Sequence, residues 1–160
     1  MTFKSILTGG LLASLVATTA QAASVASKAD VDGVRDAAFA AVESMGMEAA
    51  MAHMGDPSNG MLDLAGAGLH TFAVTRNHII VFDHSGQTDS GMDLSEFLMP
   101  DGRPITTWLV DWAEAGPNGG GGVMDFPHPG TSEPGEAYFT CRFLTDGDTL
   151  LCAGAWNMTG

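Results

Sequence analysis

Two cysteines near the end of the chain constrain its fold more than any other feature. Cys141 and Cys152 lie at equal distances from the midpoint between Asp146 and Gly147, in a turn-forming segment that separates two apolar runs. This pattern predicts a β-hairpin in which the cysteines face each other. A four-residue loop makes them a non-hydrogen-bonded pair, where side chains approach most closely, whereas a two-residue loop makes a poorer disulfide site. We expect a disulfide; two buried free thiols are the alternative.

The first 22 residues have the pattern of a secretory signal peptide. Lys4 supplies a positive segment, residues 6–16 an apolar stretch, and Ala20-Gln21-Ala22 a small-x-small cleavage site. We therefore expect residues 1–22 to be a signal peptide and residues 23–160 to form one periplasmic or secreted domain. An uncleaved membrane anchor is the alternative. After cleavage, no apolar run is long enough for membrane insertion.

The charge of the chain excludes one class of partner. Six Lys and Arg residues against 19 Asp and Glu residues give a formal net charge of −13 at pH 7. Nucleic-acid binding needs a basic surface that displaces phosphate counterions, so no nucleic acid is expected as a partner. With 160 residues, 45% of them hydrophobic and 16% charged, the chain suits a single globular domain with its own core.

Hydrophobic periodicity predicts an α+β fold. A helix over residues 29–45, capped by Asp30 or Asp32, is followed by a break at Gly46 and a short helix over 47–54. The other predicted elements are strands over 69–75 and 79–84, a helix opened by Pro104 and ended by Gly116, a Gly-rich linker over 117–122, and strands over 123–126, 137–144 and 149–156. Short turns indicate a mostly antiparallel sheet with the helices on one side.

The two faces of the final hairpin differ in side-chain size. One face carries bulky residues, among them Phe139 and Trp156, and the other carries Tyr138 and Arg142 among small side chains. Small side chains with a few polar groups leave room for a small molecule, so we expect a ligand cavity over the second face. An ordinary solvated sheet face is the alternative.

Short segments in a fixed order carry a resemblance to a known family. They are residues 45–50 (MGMEAA), 81–84 (VFDH), 91–94 (GMDL), 101–103 (DGR), 122–129 (GVMDFPHP), Tyr138, and 154–156 (GAW). Over residues 29–156 the sequence resembles single Cache domains, which are extracytoplasmic small-molecule sensors. Ser85 stands where that family often has Pro, and Gly135-Glu136 stand where it often has a Lys.

The resemblance implies a PAS-like Cache fold, with a long N-terminal helix packed on a mostly antiparallel sheet of about five strands. It also implies a ligand pocket lined by His84, whose imidazole can donate to a ligand oxygen, with Phe82 on the same side of the strand. A strand-end His84 that bonds only to backbone is the alternative.

Four further residues are candidates for the same pocket. Trp108 and Tyr138 can supply an aromatic wall and a hydroxyl, although plain core packing is the alternative for both. Arg103 and Arg142 are scarce cations in an acidic chain and can pair with an anionic ligand. Structural salt bridges are the alternative for the two arginines.

No catalytic pattern stands out in the sequence. Asp83-His84-Ser85 holds the residue types of a hydrolase triad, but neighbours in a strand point to opposite faces and cannot pair as nucleophile and base. Glycines 119–122 are not followed by the Lys-Ser/Thr of a phosphate loop. We therefore expect no enzyme activity and no cofactor.

A methionine-rich segment over residues 45–61 supports a rival hypothesis. Met47, Met51 and Met54 fall on one helical face, and His53 lies among them. Thioether and imidazole ligands suit Cu(I), so a periplasmic copper-binding or redox-stress protein is the alternative function. A methionine-rich core stripe explains the same pattern without a metal.

The leading hypothesis is a stand-alone extracytoplasmic module that binds a small polar metabolite, such as a short organic acid, for sensing or solute capture. The sequence contains no recognisable output domain. A separate membrane receptor, kinase or transporter is therefore expected as a partner.

Overall fold

The structure is a computed structural model that describes residues 26–64, 66–129, 131 and 133–158. The predicted signal peptide, residues 1–22, lies outside the described residues. Within the described part of the chain, no helix combines the length and apolar character needed to cross a membrane.

The first helix, α1 (Lys28–Met45), begins at a capping box. The hydroxyl of Ser27 accepts from the backbone N–H of Asp30, and the Asp30 carboxylate accepts from the backbone N–H of Ser27 at 2.8 Å. The predicted caps, Asp30 and Asp32, were therefore wrong, because Asp30 occupies the third helical position of the box. The predicted break at Gly46 is confirmed: its φ of 80° separates α1 from α2 (Met47–Met54).

Five strands form one antiparallel sheet. They are β1 (His70–Thr75), β2 (Ile80–Asp83), β3 (Gly120–Pro127), β4 (Pro134–Phe143) and β5 (Thr149–Trp156), in the spatial order β2-β1-β5-β4-β3. The third helix, α3 (Ile105–Ala113), follows Pro104 as predicted, but it ends before Gly116.

The predicted hairpin and its disulfide are confirmed. Cys141 and Cys152 are directly opposed across β4 and β5, with 4.1 Å between their Cα atoms, and they form a disulfide. The backbone N–H of Leu144 donates to the carbonyl of Thr149 at 2.8 Å and closes a four-residue loop. This is the loop length that makes the cysteines a non-hydrogen-bonded pair.

The helices cover both faces of the sheet, which corrects the prediction that they lie on one side. Helix α1 packs on the small-residue face, where Ala38 meets Ala73 and Leu151 in one buried cluster. Helix α3 packs on the bulky face, where Leu109 joins Phe139 and the disulfide in a second cluster. Small side chains on one face let the long helix approach closely.

Part of the predicted Gly-rich linker is strand. Gly120, Gly121 and Gly122 open β3 and pair with β4. A Cβ on Gly122 would overlap the indole of Trp112, which lies across the strand. The glycines therefore provide space for large rings beside the strand, a role that also occurs within β-sheets.

Candidate functional site

A cavity lies between the bulky face of the sheet, α3 and the segment that follows β2. Its volume, counted as the space open to the centre of a water molecule, is about 40 Å³. One water needs about 10–15 Å³ by that measure, so the cavity accepts a few heavy atoms. Its lining residues are His70, Phe72, Ile80, Asp83, Gln87, Thr88, Leu94, Ile105, Leu109, Phe126 and Phe139.

Most of the cavity wall is apolar and aromatic. The ring of Phe139 meets those of Phe72 and Phe126 edge-on, with ring centroids 5.8 and 5.5 Å apart. Edge-to-face contacts of this kind hold rings in fixed positions. The three rings thus pack against one another along one wall of the cavity.

His70 supplies a buried imidazole at the polar end of the cavity. Its Nδ1 lies 2.9 Å from the carbonyl oxygen of Gly68, to which it donates, and the ring stacks between Phe72 and Trp156. Burial lowers the pKa of His70, although the nearby Asp83 carboxylate acts in the opposite direction. The ring is therefore neutral at pH 7, and its Nε2 carries a lone pair.

Asp83, the last residue of β2, places a carboxylate beside that imidazole. Its Oδ1 lies 3.9 Å from Nε2 of His70, and its side chain is only 7% exposed. Oδ1 accepts from the backbone N–H of Ser85 and Oδ2 from the hydroxyl of Thr88, both at 2.8 Å. The carboxylate is thus fixed by the turn that follows it.

Gln87 joins this turn to the far edge of the sheet. Its Nε2 donates to the carbonyl oxygen of Pro127 at 2.9 Å, and its backbone N–H donates to the hydroxyl of Ser85 at 3.2 Å. The segment after β2 is thereby tied to the end of β3, across one side of the cavity.

The predicted cavity over the small-residue face is absent from the described structure because α1 fills that space. Two polar groups of the face are satisfied by the helix: Tyr138 donates to Asp32 at 3.2 Å, and Arg35 donates to Thr140. Arg35 is itself 6% exposed. The polar side chains of this face therefore bond to α1 and are not open to a ligand.

His84 lies on this α1 side and not at the cavity. Its Nδ1 is 2.8 Å from the hydroxyl of Thr71, and its ring is within hydrogen-bonding reach of the Met51 backbone in α2. Phe82 stands beside it, 5.0 Å between ring centroids, in the core cluster under α1 and α2. Both residues point away from the cavity because they flank Asp83, and neighbours in an extended segment face opposite sides.

The remaining predicted site residues also lie elsewhere. Trp108 donates from Nε1 to Asp101 at 2.8 Å, and Arg103 forms ion pairs with Asp101 and Asp111, also at 2.8 Å. Arg142 stacks on the ring of Phe39 in α1 at 3.8 Å. The structure therefore does not bring together His84, Phe82, Trp108, Tyr138, Arg103 and Arg142 at one cavity.

Sequence reasoning missed His70 and Asp83. One signal was available: Asp83 precedes His84 in a strand, so the two must face opposite sides of the sheet. Since β1 pairs with β2, with Phe72 opposite Asp83, His70 comes to the same face two residues earlier in β1.

The methionine-rich segment is divided between core and surface. Met54 is fully buried and Met61 is 8% exposed, both in the cluster beneath α1 and α2. His53 is exposed, with Nδ1 3.1 Å from the side-chain nitrogen of Asn59. Among the described residues, no group of three or more His, Cys, Asp or Glu is placed to hold a metal ion. The copper site at Met47, Met51, His53 and Met54 stays a prediction.

Comparisons with known proteins identify the fold. No protein-family model matches the chain, and no curated protein matches its sequence. A methyl-accepting chemotaxis protein from Vibrio parahaemolyticus RIMD 2210633 shares the fold at a TM-score of 0.64 and 14% identity, over 81% of this chain and 87% of that one.

Two further solved structures are similar. A periplasmic sensor domain of a chemotaxis protein matches at a TM-score of 0.57 and 20% identity, over 81% of this chain and 94% of that one. A Cache chemosensory domain, described in terms of carboxylic acid recognition, matches at 0.53 and 17%, over 81% and 87%. The chain thus has the fold of a single Cache-like sensor domain, and the predicted α+β, PAS-like fold class is confirmed.

Proposed function

We propose that this protein is an extracytoplasmic module that binds a small polar metabolite in the cavity between the sheet and α3. The observation that carries the proposal is an aromatic-walled cavity with a buried imidazole and a buried carboxylate at one end. Pockets that bind small molecules combine apolar walls with a few fixed polar groups in this way. The fold shared with sensor domains of chemotaxis proteins supports the same conclusion.

The ligand serves as a signal or a cargo, and the protein does not transform it. Binding is favoured over catalysis because the solved structures that share this fold are sensor domains of chemotaxis proteins. A separate membrane receptor, kinase or transporter would receive the ligand or the signal. The signal-peptide pattern of residues 1–22 supports export to the periplasm or beyond.

A thermal-shift screen tests the proposal. The panel holds short organic acids, amino acids and amines; the acids are included because one domain of similar fold is described by its recognition of carboxylic acids. A ligand at 100 times its Kd should add about 2.7 kcal/mol to the free energy of unfolding. No stabilisation by any member of a broad panel would contradict the proposal.

A matched pair of variants locates the binding. Leu94→Trp places an indole at the cavity wall and should abolish the stabilisation. Leu98→Trp makes the same change four residues further on, at a side chain that is 58% exposed and outside the cavity, and should leave it intact. Equal stabilisation of both variants would place the ligand elsewhere.

A further inference from the structure

The cavity holds a negative charge that none of the described lysines and arginines neutralises. Among its described lining residues, Asp83 alone carries a full charge. Its two hydrogen bonds come from neutral donors, Ser85 and Thr88, and a carboxylate offers about four acceptor positions. A buried carboxylate without a positive partner is unfavourable, so a cation that enters the cavity gains a strong interaction.

The basic side chains that the structure describes are engaged elsewhere. Lys28 lies over the ring of Tyr138, Arg35 pairs with Asp32 and Asp36, Arg76 with Glu114, Arg103 with Asp101 and Asp111, and Arg142 stacks on Phe39. None of them lines the cavity. A carboxylate ligand would therefore meet the Asp83 charge with no cationic side chain to offset it.

The polar groups of the cavity are mainly hydrogen-bond acceptors. His70 donates its Nδ1–H to the carbonyl oxygen of Gly68. Its Nε2 is left as an acceptor, 3.9 Å from Oδ1 of Asp83. One nitrogen at the ordinary hydrogen-bond distance of about 2.9 Å can donate to both atoms at once. Thr88 donates its hydroxyl hydrogen to Asp83. Among the described lining residues, the second amide hydrogen of Gln87 is the one side-chain donor that remains.

The rest of the cavity suits a short hydrocarbon chain beside a cation. The rings of Phe72, Phe126 and Phe139 form its wall, and aromatic faces attract ammonium groups as well as alkyl groups. The cavity volume of about 40 Å³ limits the ligand to a few heavy atoms.

We propose that the cavity selects a small primary ammonium ion, such as a short alkylamine, whose nitrogen donates to Asp83 and His70 while its carbon chain lies against the phenylalanine rings. This inference rests on the proposed function and names its ligand class. It reverses the sequence-based expectation of a short organic acid, because that expectation relied on cations that the fold places elsewhere.

Isothermal titration of the full chain with matched probes tests the inference. Propylammonium and butylammonium are compared with propionate and butyrate near neutral pH. The amines should bind at least about tenfold more tightly, the ratio expected from one charge-assisted hydrogen bond. Asp83→Asn keeps the shape of the side chain and should weaken amine binding by about tenfold or more. Asp125→Asn removes the same charge from an exposed strand position and should change nothing.

The outcomes distinguish a failure of the amine preference from a failure of the proposed binding function. Acids that bind as tightly as the amines would overturn the amine preference and leave small-molecule binding in place. Amine binding that is unchanged in Asp83→Asn would also overturn it. Failure of every amine, acid and amino acid to bind would overturn both proposals. The comparison of amines with acids needs only the unaltered protein, so it decides the matter even if Asp83→Asn does not fold.

Discussion

Asp83 and His84 are consecutive in the chain, yet their side chains lie on opposite faces of the sheet. Asp83 borders the cavity under α3, and His84 bonds to Thr71 on the side that α1 and α2 cover. The polar groups of this strand end therefore have separate tasks. Asp83 presents its charge to the cavity, and His84 bonds to the sheet beside α2.

Replacing His84 should lower stability without removing ligand binding. His84→Ala deletes the hydrogen bond to Thr71 and leaves that buried hydroxyl without its ring partner, which should cost about 1–3 kcal/mol of unfolding free energy. Urea denaturation measures this cost, and titration with a ligand from the screen measures binding. A folded His84→Ala protein that no longer binds would show that His84 contacts the ligand.

Removing the disulfide should destabilise the hairpin. Cys141 and Cys152 are 11 residues apart and fully buried. A ring of that size restricts the unfolded chain by about 2–3 kcal/mol. Denaturant midpoints with and without reductant measure the difference. Thiol labelling of the denatured, unreduced protein should find no free thiol among these two cysteines, and two labelled thiols would refute the bridge.

Two glycine-to-alanine changes should act in opposite directions. Gly122→Ala forces a methyl group into the Trp112 indole and should cost about 1–3 kcal/mol. Gly33→Ala, on the exposed side of α1 with open space around it, should stabilise by about 0.5–1 kcal/mol. Thermal unfolding of the two variants checks this. Equal effects would contradict the close approach of Trp112 to β3.

Stability should fall as the pH drops below the unfolded-state pKa of histidine, about 6.5. Burial lowers the pKa of His70 in the folded state; the Asp83 charge opposes this, and His84 and His128 reinforce it. Between the folded and unfolded pKa values the unfolded chain binds the extra proton, so acid favours unfolding and the full stability is present above that range. The pKa of His84 is also lowered, first by burial.

Urea denaturation from about pH 8 to about pH 5 measures this dependence. His70→Gln should show a shallower loss of stability than the unaltered protein, because one of the two imidazoles with a lowered pKa is gone. An exposed-histidine control is His53→Gln, which should keep the original slope. Identical slopes in all three proteins would contradict the buried, neutral state of His70.

Local patterns predicted the elements of this fold, and tertiary packing decided the site. The helix break at Gly46 and the hairpin joined by Cys141 and Cys152 follow from single-residue conformational preference and symmetric spacing, which are local properties. The alternation of small and large side chains correctly divided the hairpin into two faces. It could not say which face α1 would cover, because that depends on contacts distant in sequence, such as Arg35 with Thr140.

The same limit explains why the predicted site residues do not meet at one cavity. Scarce arginines in an acidic chain suggested anion binding, but abundant carboxylates also provide partners for them, as Asp101 and Asp111 do for Arg103. His70 lies in no sequence motif that would mark it as a site residue. It becomes notable only because the β1–β2 pairing brings it to Asp83.

A crystal structure of the protein with the tightest ligand from the screen tests the central claim most directly. The account predicts the ligand between the sheet and α3, in contact with Asp83 and His70 and against the ring of Phe139. A ligand bound instead on the α1 side of the sheet, against His84, Tyr138 or Arg142, would contradict it.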